Sequence, residues 1–194
     1  REMGIVSDET PLSPRDSEVP SWDDVPEDRK AQMDRKMAVY AAQIHCMDRG
    51  IGKILAKLDE IGKAENTLVL FLSDNGGCHE TGIWGRDFWE NGAEPGGKDS
   101  YQSYGQSWAN LSNTPFRRYK HWVHEGGIST PLIARWPEVI TNRGELTGDV
   151  GHIIDIMATC SDISGAESPS PRTGSAISTP DGESLLPVLK RGTR

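Results

Sequence analysis

The chain is poor in cysteine, in cationic charge and in long apolar runs, and each shortage removes a class of protein. Its three cysteines, Cys46, Cys78 and Cys160, are odd in number and lack CxxC spacing. Neither a disulfide framework nor a zinc knuckle is supported, and buried or incidental thiols are expected. Lys and Arg total 21 against 29 Asp and Glu, a net charge of −8. That balance argues against nucleic acid as a main partner, because phosphate binding needs a basic surface. No apolar stretch approaches the roughly 20 residues of a membrane-spanning helix, and no charged-then-apolar leader is visible, so the 194 residues carry no membrane segment and no cellular address. The length admits one full domain with a real core. With 21 Gly and 12 Pro, long irregular segments are expected.

Organisation changes sharply along the chain. Residues 1–28 are rich in Pro, Ser and acids, and PLSPRDSEVPSWDDVPED reads as an extended linker-like segment that drapes over another part of the protein. From residue 29 onward, Met33, Met37, Tyr40, Ala41, Ile44, Met47, Ile51, Ile54, Leu55 and Leu58 recur at spacings of three and four. This periodicity predicts one long amphipathic helix, closed by Asp59, Glu60 and Gly62. Residues 67–72 are apolar without alternation, as expected of a strand buried on both faces of a parallel sheet. Helix followed by buried strand is half of a βαβ unit. Residues 78–112 lack periodicity and read as a long ordered loop. A second strand is predicted over residues 131–136. A short helix is predicted over 152–161, with Ile153, Ile154, Ile156 and Met157 as its buried face. Residues 165–181 read as a Ser/Pro-rich connector, and 184–190 as a short amphipathic piece.

The first concentrated chemical signal is LVLFLSDNGG, residues 68–77. Polar groups at the carboxyl end of a buried strand reach a ligand without disturbing the core. Asp74 and Asn75 offer one charged and one neutral oxygen donor, a combination suited to a hard divalent cation such as calcium or magnesium. Gly76 and Gly77 let the backbone turn sharply or be approached closely. The competing reading is an Asp and an Asn that simply open a turn.

The second signal is NTPFRRYKHWVHEGGISTP, residues 113–131, which sets Arg117, Arg118, Lys120, His121 and His124 in an otherwise acidic chain. Cations grouped against the overall balance suggest an anion site: lysine is a compact charge suited to an oxyanion, and arginine can hold one bidentately. A solvated basic edge is the alternative. The Gly pair after Glu125, just before a predicted strand, again places the charges near a sheet end. His121 and His124 are candidates for proton donation or anion contact, with a structural role as the alternative, and His79 stands in the same position. His45 and His152 sit in predicted helices and read as structural. Trp84, Trp89, Trp108 and Trp122 could line a pocket or pack the long loop.

Several motifs taken in order, RKMAVYAAQIHCMDRGIGKIL, LVLFLSDNGG, WANLSNTPFRRYKHWVHEGGISTPLIARWP, HIIDIMATCSDISG and GESLLPVL, resemble the sulfatase family within the alkaline phosphatase-like superfamily. The resemblance covers most of residues 33–190. It implies an α/β fold, a partial alkaline phosphatase-like sandwich whose mostly parallel sheet is flanked by helices and is incomplete in this chain. Residues 29–194 then correspond to the carboxyl-terminal portion of a sulfatase catalytic domain. It further implies that Asp74 and Asn75 bind the active-site divalent cation, usually calcium. Lys120, five residues before the Glu of the EGG turn, is implied to contact the sulfate group of a sulfate ester substrate, with Arg117, His121 and His124 as further candidates.

The family's nucleophile is a hydrated formylglycine made from Cys or Ser in a CxPxR or SxPxR motif, and no such motif is present. Cys46 is followed by Met-Asp-Arg, Cys78 by His-Glu-Thr and Cys160 by Ser-Asp-Ile; Asn113 to Arg117 has the Pro and Arg spacing but an amide in place of the thiol. The pair of aspartates that the family carries after its first strand is also absent. The expectation is a chain that contributes two metal ligands and a sulfate-binding lysine, needs the missing amino-terminal half of the catalytic domain as its partner, and is inactive alone. It is either a fragment or a truncated reading frame. Two alternatives remain: a phosphoesterase of the same superfamily, and a degenerate domain that only binds an anion or a partner.

Overall fold

The structure, a computed structural model, describes residues 1–89, 95–166 and 181–191. Its elements run α1 (Glu27–Glu60), β1 (Val69–Leu72), β2 (Asp87–Trp89), β3 (Ser100–Gln102), α2 (Gly105–Ser112), α3 (Glu125–Ile128), β4 (Leu132–Arg135), α4 (Asp155–Ser164) and α5 (Leu186–Arg191). The chain is α/β. It divides into two compact units, one built from Arg1–Leu55 and Leu72–Leu132, the other from Ala56–Phe71 and Ile133–Arg194.

The periodic segment forms α1 as expected. Glu27 and Asp28 sit in its first turn and Lys57 in its last, which matches the sign of the helix dipole at each end. Gly62, at φ 66°, closes it: Gly62 N donates to Asp59 O and Lys63 N to Leu58 O, at 3.0 and 2.9 Å. This pair of bonds is a Schellman motif, and the left-handed position favours glycine. The predicted apolar stripe is only partly buried. Met33 is 1% exposed, whereas Ile44, Met47 and Ile54 are open to solvent and Tyr40, 38% exposed, meets only the Tyr104 ring, at 4.9 Å, among described aromatic contacts.

In the first unit, residues 1–26 form turns and extended chain ending with Val19 and Val25 buried. The indole of Trp108 on α2 donates to Met33 O at 2.9 Å and its ring lies 5.6 Å from that of Trp22. The Lys36 ammonium, 5% exposed, donates to Trp84 O at 2.7 Å. The segment expected to be one long loop holds α2 and the antiparallel pair β2–β3, in register Asp87↔Gln102, Phe88↔Tyr101 and Trp89↔Ser100. Strands of three residues are too short to leave an alternation in the sequence.

In the second unit β1 pairs with β4 in a two-stranded sheet. The indole of Trp136 donates to Asn66 Oδ1 at 3.0 Å, Arg135 to Ala64 O at 3.1 Å and Glu138 N to Glu65 O at 3.0 Å. The described residues hold two two-stranded sheets and show no larger parallel one, and β1 is half-buried with Phe71 exposed rather than covered on both faces. Two strands of four residues cannot bury each other's faces.

Helix α4 also corrects the expected burial. Ile153, Ile154 and Met157 are 54%, 46% and 62% exposed, while Thr159 is 1% exposed. Ile156 is half-buried as expected and shares a face with Thr159, which is held by polar bonds: Thr159 Oγ1 accepts from Leu185 N at 2.8 Å and donates to Asp155 O, Asp155 Oδ1 accepts from Glu183 N, and Ser184 donates to Asp162. Most of the predicted connector, residues 167–180, lies outside the described residues, as does the side chain of Trp89. The expected piece at 184–190 appears as α5. All three cysteines are free, with Cys46 and Cys160 exposed rather than buried. No described helix is long and apolar enough to cross a membrane.

Thr159→Val strands the Leu185 N–H in a covered position. The expected loss is about 1–3 kcal/mol of stability, read by urea unfolding; an unchanged midpoint would show that this bond does not hold the 182–186 segment.

Candidate metal and anion site

Directly after β1 the chain turns through residues 73–77, and this turn is locked to the 126–127 turn by backbone alone. Gly76 N donates to Gly127 O at 3.0 Å. The approach is so close that a Cβ built on Gly76 would stand 1.8 Å from Gly126 O, one on Gly126 2.1 Å from Arg118 O, and one on Gly127 1.9 Å from Trp122 O. No side chain fits at these positions, and the atoms in the way are backbone that cannot rotate aside. Gly76 is demanded by the approach to Gly126, whereas Gly126 and Gly127 are demanded by the backbone of residues 117–122 folding back on them, and Gly77 by the Tyr104 hydroxyl.

The turn carrying Lys120 is fastened to the same point. Lys120 N donates to Gly77 O at 3.0 Å and Gly126 N to Arg117 O at 2.9 Å. Asn113 bridges them: its Oδ1 accepts from Gly77 N at 3.0 Å while its Nδ2 donates to Ala109 O and Arg118 O at 2.9 and 3.2 Å. Arg118 and His121 hold φ of 68° and 89°, left-handed values that cost a residue with a side chain about 1 kcal/mol or more. The neighbours over-determine them. The Arg118 guanidinium pairs with Asp16 and lies 4.5 Å over the Trp122 ring. Tyr119, 2% exposed, donates to Asp16 Oδ2 at 3.0 Å and stacks on His79 at 4.9 Å.

Asp74, Asn75 and Lys120 thereby line one cleft of about 1720 Å³, together with Tyr40, Tyr104 and Phe116. Asp74 is exposed and Asn75 half-buried. Among the described residues neither side chain has a hydrogen-bond or ion-pair partner, which leaves their oxygens available to a ligand. Two adjacent hard oxygen donors fit part of a calcium or magnesium shell. No group of three or more His, Cys, Asp and Glu able to hold a metal occurs among the described residues, so the fit is that of an incomplete ligand set.

Two groups that the sequence did not mark as site candidates stand beside Lys120: Cys78, which lines the cleft, and Glu80, which does not. Glu80 pairs with the Lys120 ammonium at 3.5 Å and accepts from the Cys78 thiol at 3.2 Å. The Cys78 hydrogen bond, then the Lys120 charge, hold the Glu80 carboxyl below its ordinary range. Burial pushes the Cys78 thiol up, as it does the Tyr104 phenol. Asn113, which in the sequence looked like a failed nucleophile motif, is the bracket between the two turns; its only signal was an amide ahead of the cationic run.

The other candidates are not brought to this cleft. Arg117 lines a separate, smaller pocket. His121 is exposed, 5.9 Å from the His79 ring and 6.0 Å from that of Trp122. His124 precedes α3 and stacks on Trp122 at 6.5 Å. Trp84, Trp108 and Trp122 do not line the cleft; tyrosines do.

Gly76→Ala is expected to abolish the close approach and lower stability by several kcal/mol, about 3 or more. Gly50→Ala, in α1 with open space around it, is expected to raise it by about 0.5–1 kcal/mol; thermal unfolding of both variants checks the contrast. At neutral pH, iodoacetamide is expected to label exposed Cys46 and Cys160 before Cys78. The Cys78 rate should climb only in more alkaline solution, because its raised pKa delays the thiolate. Peptide mass mapping against time reads the order.

The sulfatase family profile matches residues 10–166. The chain is 32% identical over 173 residues to an arylsulfatase of Klebsiella aerogenes, covering 85% of this chain and 37% of that protein. It is 33% identical over 153 residues to the human (Homo sapiens) N-acetylgalactosamine-6-sulfatase, covering 79% and 23%. To the mouse (Mus musculus) steryl-sulfatase it is 33% identical over 151 residues, covering 78% and 20%. It thus spans about a fifth to somewhat over a third of the length of these relatives. With the two interlocked glycine turns, the oxygen pair and the lysine all inside the matched region, the chain belongs to the sulfatase family, whose fold is the alkaline phosphatase-like α/β fold.

Proposed function

We propose that this chain forms one wall of the active site of a sulfuric-ester hydrolase acting on aryl or carbohydrate sulfates. Asp74 and Asn75 are its metal ligands, with calcium as the cation, and Lys120 is its sulfate contact. The observation that supports this reading is the backbone lock between Gly76 and Gly127, together with the Lys120 N to Gly77 O bond, which keeps the two oxygen donors and the ammonium on one cleft.

Hydrolysis of a sulfate ester builds negative charge on oxygens that already repel a nucleophile, so fixed positive groups at those oxygens lower the barrier. Lys120 supplies one such charge, paired with Glu80 at 3.5 Å. Asp74 and Asn75 would hold the cation, which when bound polarises a sulfate oxygen. Two protein oxygens are too few for calcium, which takes six to eight. The remaining ligands, the formylglycine nucleophile and further strands beside β1 are proposed to come from a portion of polypeptide outside these 194 residues. The domain organisation follows: residues 1–28 link to that portion, and residues 29–194 complete the catalytic domain. Without a nucleophile the chain has nothing for its electrostatics to act on and is inactive alone.

Calorimetry should detect weak calcium binding by the purified chain that Asp74→Ala removes; identical heats in both proteins would sink the metal assignment. Turnover of an aryl sulfate by the chain alone would overturn its inactivity. In a longer polypeptide carrying the nucleophile, Lys120→Ala is expected to lower kcat by about 10²–10³-fold.

A further inference from the structure

A second, cationic pocket is built partly from the same 117–118 stretch and shares no lining residue with the cleft. It measures about 260 Å³ and is lined by Arg15, Asp16, Ser17, Asn110, Arg117 and Arg118. The first segment builds one side of it, anchored by Asp16 N donating to Asn110 Oδ1 at 3.0 Å and by Ser13 N donating to Pro115 O at 3.1 Å.

The charges around this pocket do not cancel. Its one acid, Asp16, has a side chain only 4% exposed and is already engaged by the Arg118 guanidinium and the Tyr119 hydroxyl. Glu18, which also acts on Arg118, accepts from Gln106 Nε2 at 3.1 Å and does not line the pocket. The Arg15 and Arg117 guanidinium groups, by contrast, have no carboxylate or hydrogen-bond partner among the described residues. Because Asn110 spends its oxygen on Asp16 N, its Nδ2 faces the pocket's chemistry as a pair of donors without a described partner. Ser17 adds a hydroxyl. A lining made of unspent donors and two uncompensated guanidinium groups, in a chain of net charge −8, is the complement of an anion. The volume holds a tetrahedral oxyanion and several waters, at about 30 Å³ per water.

We propose that Arg15 and Arg117, with Asn110 and Ser17, bind a sulfate or phosphate group at a site separate from the Lys120 cleft. The planar guanidinium forks suit bidentate contact with such a group. The group is free or carried as a monoester on a larger molecule, and the site stands independently of the hydrolase reading.

The test uses the 194-residue chain, labelled with ¹⁵N and titrated with sodium sulfate, following the Arg Nε–H and Asn side-chain NH₂ resonances; sodium chloride at matched ionic strength is the control. Sulfate is expected to give saturable shifts at Arg15, Arg117 and Asn110 that chloride does not reproduce. The Asn110 shift should be lost in Arg15→Gln/Arg117→Gln and kept in Lys120→Gln, which separates this pocket from the cleft. Both arginines are exposed and their guanidinium groups make no described hydrogen bond or ion pair, so the rest of the spectrum verifies the fold. A monosaccharide sulfate giving the same shifts identifies an ester-borne group; shifts with inorganic sulfate alone identify the free ion. No saturable shift, an equal response to chloride, or an Asn110 shift unchanged in the double variant overturns the proposal.

Discussion

The contact on which the rest of the site depends is the backbone-to-backbone approach of residues 76–77 and 126–127. Gly76 N meets Gly127 O at 3.0 Å with no room for a Cβ on either side. Because this contact contains no side chain, it has no rotamers to sample, and it sets the distance between two turns some fifty residues apart more tightly than any surface ion pair could. The groups that line the Lys120 cleft beside β1 are hung from it. Asp74 and Asn75 precede one glycine pair; Lys120 is bonded through its own N–H to the other end of that pair.

Around this lock the structure spends its polar bonds on holding a strained turn. Two residues with side chains, Arg118 and His121, take left-handed conformations on either side of Tyr119 and Lys120. Asn113 from below and Asp16 from the first segment fasten the turn where it bends. The first segment is thus more than covering chain. One nearly buried carboxylate, far from the turn in sequence, fixes Arg118 and Tyr119 together, and by consuming the one acid there it leaves the neighbouring guanidinium groups unbalanced.

Elsewhere the same chain leaves apolar surface open. Tyr40, Ile44, Met47 and Ile54 on α1, Ile133 on β4 and Met157 on α4 are all exposed, although their spacing is that of buried faces. Patterning reports which face a helix would bury if something covered it; it does not report whether the cover lies within the same 194 residues.

The sequence by itself determined the long helix and its Gly62 stop, both four-residue strands, and the two motifs that carry the oxygen pair and the lysine. These are local matters of period, capping and turn chemistry, encoded within a few residues of where they act. Only tertiary structure decided that Gly76 meets the 126–127 turn, that Asn113 is a bracket rather than a failed nucleophile, and that Glu80 pairs with Lys120 and Cys78. It likewise made Thr159 the most buried residue of α4, left Ile153, Ile154 and Met157 exposed, and sent Arg117 to a different pocket from Lys120. Each of these depends on which distant backbone comes within about 3 Å, and no periodicity or composition of a single segment contains that distance.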